Sequence, residues 1–505
     1  MDAIFNLLHG LSIAVEPTNL GIALIGVIVG TAVGVLPGLG PTATVSLLLP
    51  ISASLDQTAA IILLAAIYYG AMYGGSITSI LIRVPGEAAS AITSLDGYAM
   101  TLKGRAGAAL GMSAFASFIA GIAATLGIAI VGPSFAEKAL SFGPVERTGL
   151  VLFGLTLAAS VGNGSRTKAW TMVGLGLLLS TFGVDLVSGE ERFTFGSPDM
   201  RDGIDIAVLA MGLFGVSEVL AAAEKKNAGE RQPLASYSLR DLLPNREEWR
   251  ASAGPIARGS GLGFLLGLLP GGGALISSVA SYVMEKKLSA SPERFGNGAI
   301  EGVAGPESAN NSAAQASFIP LLCLGIPANA VIGVIMGALL MQGVTPGPEL
   351  LTEHPDLFWG VVASMLIGNA MLVILNVPLV RFFVLLLKVP ETVMTPLILV
   401  FCTIGAFSIN NSLFDVGVMI ASGFGAHLLH KAGYELAPLL LAFLLGSLLE
   451  QNLQQSLIIS TGDYVTFIRS PISAAFLCAA LATFLWPLLS SRLKTALAGV
   501  LRSPR

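Results

Sequence analysis

"LPGLGPTATVSLLLP" occupies Leu36 to Pro50 and sets three prolines and two glycines inside one of the most apolar parts of the chain. The surrounding sequence decides which solvent these helix breakers meet. Of 505 residues, 54% are hydrophobic and 11% charged. Mean hydropathy is +0.79, whereas a soluble domain carries about 25% charged residues. A spanning helix needs about 20 largely apolar residues, and apolar stretches recur from Leu20 almost to the C-terminus. The expected fold is therefore an all-α integral membrane protein with roughly 12 transmembrane helices plus broken or re-entrant hairpins. The opening "MDAIFNLLHGLSIAVEP" has no Lys or Arg before its apolar residues and no small-residue cleavage pattern, so the first helix is expected to remain in place.

Membrane burial gives the broken stretch a physical meaning. In hydrocarbon an unpaired backbone N–H or C=O costs several kcal/mol, so irregular backbone survives only against protein or a water-filled cavity. Pro37 removes a donor, Gly38 and Gly40 tolerate positive φ, and Pro41 suits the first turn of a new helix. One helix should stop near Leu36 and another start near Pro41. The free N–H groups of the second suit an anion, and the carbonyls ending the first suit Na+.

The same design occurs twice. "GVIVGTAVGVLPGLG" (Gly26 to Gly40) is echoed by "GSGLGFLLGLLPGGG" (Gly259 to Gly273) at an offset of 233, so that Pro270 and Gly271 answer Pro37 and Gly38. "ILIRVPGEAA" (Ile80 to Ala89) parallels "LLCLGIPANA" (Leu321 to Ala330) at an offset of 242. The basic residues set the sides. Glu224 to Arg258, with seven Lys or Arg, and the C-terminus with Arg492, Lys494, Arg502 and Arg505 are expected inside. The first 19 residues, Ser188 to Asp202 and Gln342 to Asp356 are expected outside, being acidic or free of Lys and Arg. The expected organisation is a first membrane repeat over 1–223, a cytoplasmic basic linker over 224–258 and a second membrane repeat over 259–505, the repeats having opposite orientation. The N-terminus is then periplasmic and the C-terminus cytoplasmic.

Candidate substrate-binding positions are Pro37, Gly38, Gly40, Thr42 and Thr44 at the first break, and Pro270, Gly271, Gly272, Gly273 and Ser277 at the second, with a possible Na+ position near Gly38 and Gly271. "GPESANNSAAQASFIP" (Gly305 to Pro320) adds Asn310, Asn311 and Ser312, and its counterpart "YYGAMYGGSITS" (Tyr68 to Ser79) adds Ser76 and Thr78. Glu307 and Gln315 are candidates for cation coupling, because an ionisable residue within a spanning region is expensive unless used; the bland alternative for Glu307 is a solvated helix end. Arg83 and Glu87 flank "VPG" and either pair with each other or place Arg83 on a substrate carboxylate. Asn329 either caps a helix restart or faces substrate.

Other chemistries find little support. Cys323, Cys402 and Cys478 are isolated in apolar runs, and His427 and His430 share a helical face without ligand spacing to a carboxylate, so neither zinc nor disulfides are indicated. There is no phosphate loop, nucleophile elbow or HExxH pair, so no enzyme and no cofactor are expected, only a coupling ion, Na+ or H+.

The stretches around Gly30–Ser52, Tyr68–Tyr98, Gly267–Ser289 and Glu301–Ala330 resemble the signature segments of the large membrane subunit of tripartite tricarboxylate transporters, the TctA family. The similarity runs in order along essentially the whole chain. It implies a bacterial inner-membrane secondary active transporter that imports citrate-like or other carboxylates by symport. It also implies a small membrane subunit (TctB-like) and a periplasmic solute-binding protein (TctC-like) as partners. Alternating access, elevator-like, is the expected mechanism; an anion channel, or a carboxylate transporter independent of a binding protein, is the alternative.

Overall fold

The computed structural model describes residues 2–36, 40–160, 165–185, 188–224, 238–269, 273–386 and 391–485. Among the described residues the chain is predominantly helical, with one two-residue antiparallel ladder, Gly183–Val184 with Glu191–Arg192. It forms two compact units, Met1–Ala139 with Ile204–Leu436, and Leu140–Gly203 with Ala437–Arg505.

The first unit begins with α1 (Asp2–Ala14), α2 (Pro17–Val35), α3 (Pro41–Ala53), α4 (Gln57–Ile82), α5 (Thr93–Leu102) and α6 (Ala106–Ala139). The second unit contains α7 (Pro144–Ala158) and α8 (Arg166–Ser180). The first resumes with α9 (Ile206–Ala210) and α10 (Ser217–Glu224), joined by a π-helical turn at Met211–Val216, and continues with α11 (Arg246–Gly267), α12 (Gly273–Leu288) and α13 (Glu301–Ala316). α14 (Ala330–Met341), α15 (Leu350–Glu353), α16 (Pro355–Asn376), α17 (Val380–Leu386), α18 (Glu391–Asn410) and α19 (Leu413–Lys431) complete it. α20 (Ala437–Ile459) and α21 (Thr466–Arg469) belong to the second unit, where Arg192 holds Glu450 and α20 packs Ala442 and Leu445 against Val151 and Val173.

Among the described residues seven helices are long and apolar enough to cross a membrane, and Pro41–Ala53 and Ala330–Met341 are among the shorter apolar ones. These two follow the two echoed stretches, so half-length helices occur where the sequence breaks. α18 leaves Leu397, Val400, Phe401 and Ile404 exposed, as expected of a lipid-facing surface. α4 is different: its apolar span is wholly buried, and a helix apolar on every side belongs inside the protein.

Helix ends follow local chemistry. Pro17 and Pro41 open α2 and α3 at positions whose N–H has no intrahelical partner. Asp56 caps α4 through the Thr58 N–H. Asn245 opens α11, well inside the stretch read as a basic linker, by accepting from Glu247 and Glu248, and Glu248 bonds back to the Asn245 N–H. The other oxygen of Glu248 takes Arg105 at 2.7 Å.

Glycine spacing then fixes which helices touch. A Cβ on Gly26, Gly30 or Gly34 of α2 would meet the carbonyls of Leu63, Ile67 and Ala71 on α4. On Gly259, Gly263 or Gly267 of α11 it would meet those of Gly305, Ala309 and Ala313 on α13. The glycines match at the offset of 233 and their partners at 242. Both echoes in the sequence thus correspond to one repeated packing unit, a glycine-faced helix lying against a long buried one. Because the obstruction is backbone, it cannot swing aside. Gly263→Ala is expected to lower stability by about 1–3 kcal/mol, whereas Gly21→Ala and Gly261→Ala, with nothing within 4 Å, should not; thermal unfolding in detergent checks the difference.

Candidate functional site

α13 reads "EGVAGPESANNSAAQA", a polar sequence, yet every residue from Gly302 to Ala316 is buried. It lies against α6, α11, α12 and α4, and most of its polar side chains bond to those neighbours. Glu307 is the centre. It is fully buried and accepts hydrogen bonds from hydroxyls on three elements. Ser76 of α4 stands 2.8 Å from both carboxylate oxygens, Thr93 of α5 makes a short bond, and Ser113 and Ser117 of α6 donate at 2.9 and 3.3 Å. Asn311 donates to Ser117 and to the Glu307 carbonyl. Among the described residues no Lys, Arg or His pairs with Glu307.

The two helix restarts converge on the same helices. α4 ends at Arg83 in a left-handed conformation, φ 59°, and the helix containing α13 ends, after a π turn at Pro320–Leu324, at Gly325, φ 70°. Gly86 then runs into the gap left by two other glycines: a Cβ there would meet the Gly34 carbonyl and lie 2.6 Å from the Gly75 Cα. Glu87 caps the restart by accepting from the Ala89 N–H at 2.6 Å, and its other oxygen accepts from Asn310 at 3.1 Å. Asn329 caps α14 through the Ile332 N–H at 3.0 Å and donates to the Tyr68 hydroxyl at 3.2 Å.

Several expected residues therefore meet. Glu307, Ser76 and Asn311 form one network, with Asn310 and Asn329 beside it. Ser312 donates to the Ser260 carbonyl and fastens α13 to α11. Gln315 accepts from Thr125 at 2.6 Å, eight residues along α13 from Glu307. Thr44 and Ser277, 233 residues apart, make the same bond, each hydroxyl donating to the carbonyl four residues back, at Gly40 and Gly273. Thr78 likewise donates to the Gly75 carbonyl. Among the described residues none of these three bonds reaches the Glu307 network, nor does the local bond from Ser46 to the Thr42 carbonyl. Gly40 and Gly273 have nothing within 4 Å of where a Cβ would point. Pro37, Gly38, Pro270, Gly271 and Gly272, with the expected Na+ position near Gly38 and Gly271, lie outside the described residues.

Two alternatives are decided against the simpler pairing. Glu307 is not a solvated helix end; Arg294 pairs instead with Glu301 at 3.4 Å. Arg83 and Glu87 do not pair with each other. The left-handed backbone turns Arg83 outward, its guanidinium 6.0 Å from the Tyr98 ring, while Glu87 turns inward over Gly75. The His427 ring stands 3.2 Å from Glu224 on another helix, a carboxylate that sequence spacing did not reveal.

Thr93, Ser113, Ser117 and Thr125 were not singled out in the sequence, since isolated hydroxyls in small-residue helices carry no pattern. Nor was Asp96, which is buried and accepts from the N–H groups of Gly296, Gly298 and Ala299 at 2.7–2.9 Å and from Tyr282 at 2.9 Å, joining α5 to the approach to α13. Several buried atoms along α13 and α4 have no partner among the described residues, including Asn310 Oδ1, Asn311 Oδ1, Gln315 Nε2 and the Tyr73 hydroxyl. Buried polar atoms without a protein partner call for a polar neighbour, ordered water or a ligand.

The fold and site define a multi-pass helical membrane protein with a buried acidic and amide-rich centre beside two helix breaks. Its family is a transporter family. The profile of the tripartite tricarboxylate transporter TctA family matches residues 20–441, and the chain belongs to that family. It is 49% identical over 491 residues, 97% of each chain, to an uncharacterized 52.8 kDa protein from the TAR-I ttuC' 3' region of Agrobacterium vitis. It is 54% identical over 229 residues, 45% of this chain and 95% of the other, to an uncharacterized protein from the TAR-II ttuC' 3' region of the same organism. No solved structure matches.

Glu307→Leu strands the hydroxyls that now donate to the carboxylate, whereas Glu307→Gln keeps an acceptor. The leucine variant is expected to lose about 1–3 kcal/mol more stability than the glutamine variant; equal melting temperatures for the two would contradict the hydroxyl cage.

Proposed function

We propose that this chain is the membrane permease of a binding-protein-dependent secondary active transporter that imports tricarboxylates, citrate-like, or related carboxylates. The observation that carries the reading is the repeated unit: two glycine-faced helices ending in matched breaks, each packed on a buried helix, with Glu307 of the second buried helix held by Ser76 of the first. This is the arrangement in which inverted-topology repeats place a site near the bilayer midplane. On this reading, the two repeats are inverted, and the domain boundaries at 223 and 258 separate their sequences.

In the mechanism, the restart N–H groups and the hydroxyls and amides of Thr42, Thr44, Ser277, Asn310, Asn311 and Asn329 hold the substrate carboxylates. Few basic side chains lie in the spans, so dipoles and hydrogen bonds must supply the attraction. Glu307 and Gln315 take the coupling ion, Na+ or H+. Alternating access, elevator-like, moves this centre between the two faces of the inner membrane, with the N-terminus periplasmic and the C-terminus cytoplasmic. A small membrane subunit (TctB-like) completes the permease, and a periplasmic solute-binding protein (TctC-like) delivers substrate.

The test is uptake of labelled citrate into proteoliposomes holding this chain with its small subunit, under an imposed Na+ or proton gradient, with and without the binding protein. Uphill accumulation that needs both gradient and binding protein is expected. Equilibration without concentration would indicate a channel, and accumulation without the binding protein an independent carrier. Replacing Thr42, Thr44, Ser277 and Asn311 singly by Ala or Val should raise the apparent KM for uptake; unchanged uptake in all four would remove this site assignment.

A further inference from the structure

The repeated unit allows one position to be compared with its own internal counterpart. The offset of 242 that relates Leu63, Ile67 and Ala71 to Gly305, Ala309 and Ala313 continues past the helix ends. It maps Arg83 onto Gly325, both left-handed, and Glu87 onto Asn329, both caps of the helix that follows. It also maps Tyr68 onto Asn310. The bridge from Asn310 to Glu87 is therefore the counterpart of the bridge from Asn329 to Tyr68: each restart cap reaches the long helix of the other repeat at the equivalent residue.

At the second copy a neutral amide does both jobs, capping with its oxygen and bridging with its nitrogen. Capping and bridging thus do not need a charge. The first copy nevertheless carries a carboxylate. Its surroundings show what the charge faces. The Glu87 Cγ lies 2.9 Å from where a Cβ on Gly75 would stand, and the next residue, Ser76, donates to both oxygens of Glu307. Asn310, which holds Glu87, is one turn along α13 from Glu307. Glu87 and Glu307 therefore flank one short stretch of α4. Among the described residues no Lys, Arg or His pairs with either, and Arg83 is turned to the Tyr98 ring. Glu307 is fully buried and Glu87 half-buried, and two neighbouring carboxylates in such a place without a base do not both remain charged unless a positive species joins them.

We propose that Glu87 is the second charge-bearing residue of the coupling centre, so that it and Glu307 together require one more monovalent positive charge, a proton or an alkali cation, than Glu307 alone. This inference rests on the transport reading above. Among the described residues, the other titratable groups facing Glu87 and Glu307 are Tyr68 and Tyr73 of α4, Arg83 being turned to the Tyr98 ring.

Glu87→Gln keeps a capping oxygen and removes the charge. Wild-type and variant permease are reconstituted with the small subunit and supplied with the binding protein, the membrane potential is clamped at zero, and citrate accumulation is measured under a tenfold Na+ gradient at symmetric pH, and separately under a tenfold proton gradient without Na+. A tenfold gradient stores about 1.4 kcal/mol per ion moved, so loss of one ion lowers the limiting accumulation ratio about tenfold. That fall is expected in the arm whose ion Glu87 holds; an unchanged ratio in both arms overturns the proposal. If Glu87→Gln does not transport, the melting temperature of the purified chain is titrated against NaCl and against pH for wild type, Glu87→Gln and Glu87→Asp. A weaker dependence in Gln with recovery in Asp supports the proposal, and identical dependence in all three overturns it. Wild-type protein that accumulates neither citrate nor other di- and tricarboxylates defeats the transport reading, while the melting titrations still judge Glu87.

Discussion

Close approach of backbones at glycine is the constraint from which the rest of the core follows. Lipid offers apolar side chains as good a home as protein does, so helices in a bilayer associate through van der Waals contact and hydrogen bonds rather than through exclusion of water. Gly26, Gly30 and Gly34 against α4, and Gly259, Gly263 and Gly267 against α13, bring carbonyls where a side chain would otherwise stand. That approach gathers the two long helices into the interior. It also opens the space into which Gly86 passes, so the restart loop can be threaded between α2 and α4.

Once α13 is inside protein rather than lipid, its polarity becomes affordable in free-energy terms. A carboxylate such as Glu307 is costly in hydrocarbon, but here hydroxyls from α4, α5 and α6 stand around it. Asp96 uses the other solution, backbone N–H groups of the 296–299 segment together with Tyr282. The two acids differ in what they leave over. Three N–H groups and a hydroxyl satisfy Asp96 and tie down a loop, whereas Glu307 relies on rotatable hydroxyls that can either donate to a carboxylate or turn their oxygens toward a cation.

The asymmetry between the repeats is as informative as their likeness. Backbone features are duplicated: the glycine spacing, the left-handed helix ends, the caps, and the back-bonded Thr44 and Ser277. The charged chemistry is not. Glu307 has Ala65 at the corresponding place, and Glu87 has Asn329. A duplicated scaffold with unduplicated acids explains why the repeat is easy to see in glycine and proline but not in ionisable residues.

The membrane class, the two echoed units, the breaks after Val35 and before Gly273, and the polar run that holds Glu307 and its amide neighbours were legible in the sequence alone. Each depends on local or one-dimensional properties: hydropathy, the missing N–H of proline, the bare Cα of glycine, and the cost of an acid in an apolar run. Which groups answer that acid was not legible. Thr93, Ser113 and Ser117 come from helices far away in sequence, and a lone hydroxyl in a small-residue helix looks the same whether it bonds its own backbone or a distant carboxylate. The same holds for Glu87, whose nearest base in sequence, Arg83, is turned away by one left-handed residue. Only the tertiary structure decided these partners, because the free energy of a buried polar group is set by what surrounds it in space, and the chain order does not contain that information.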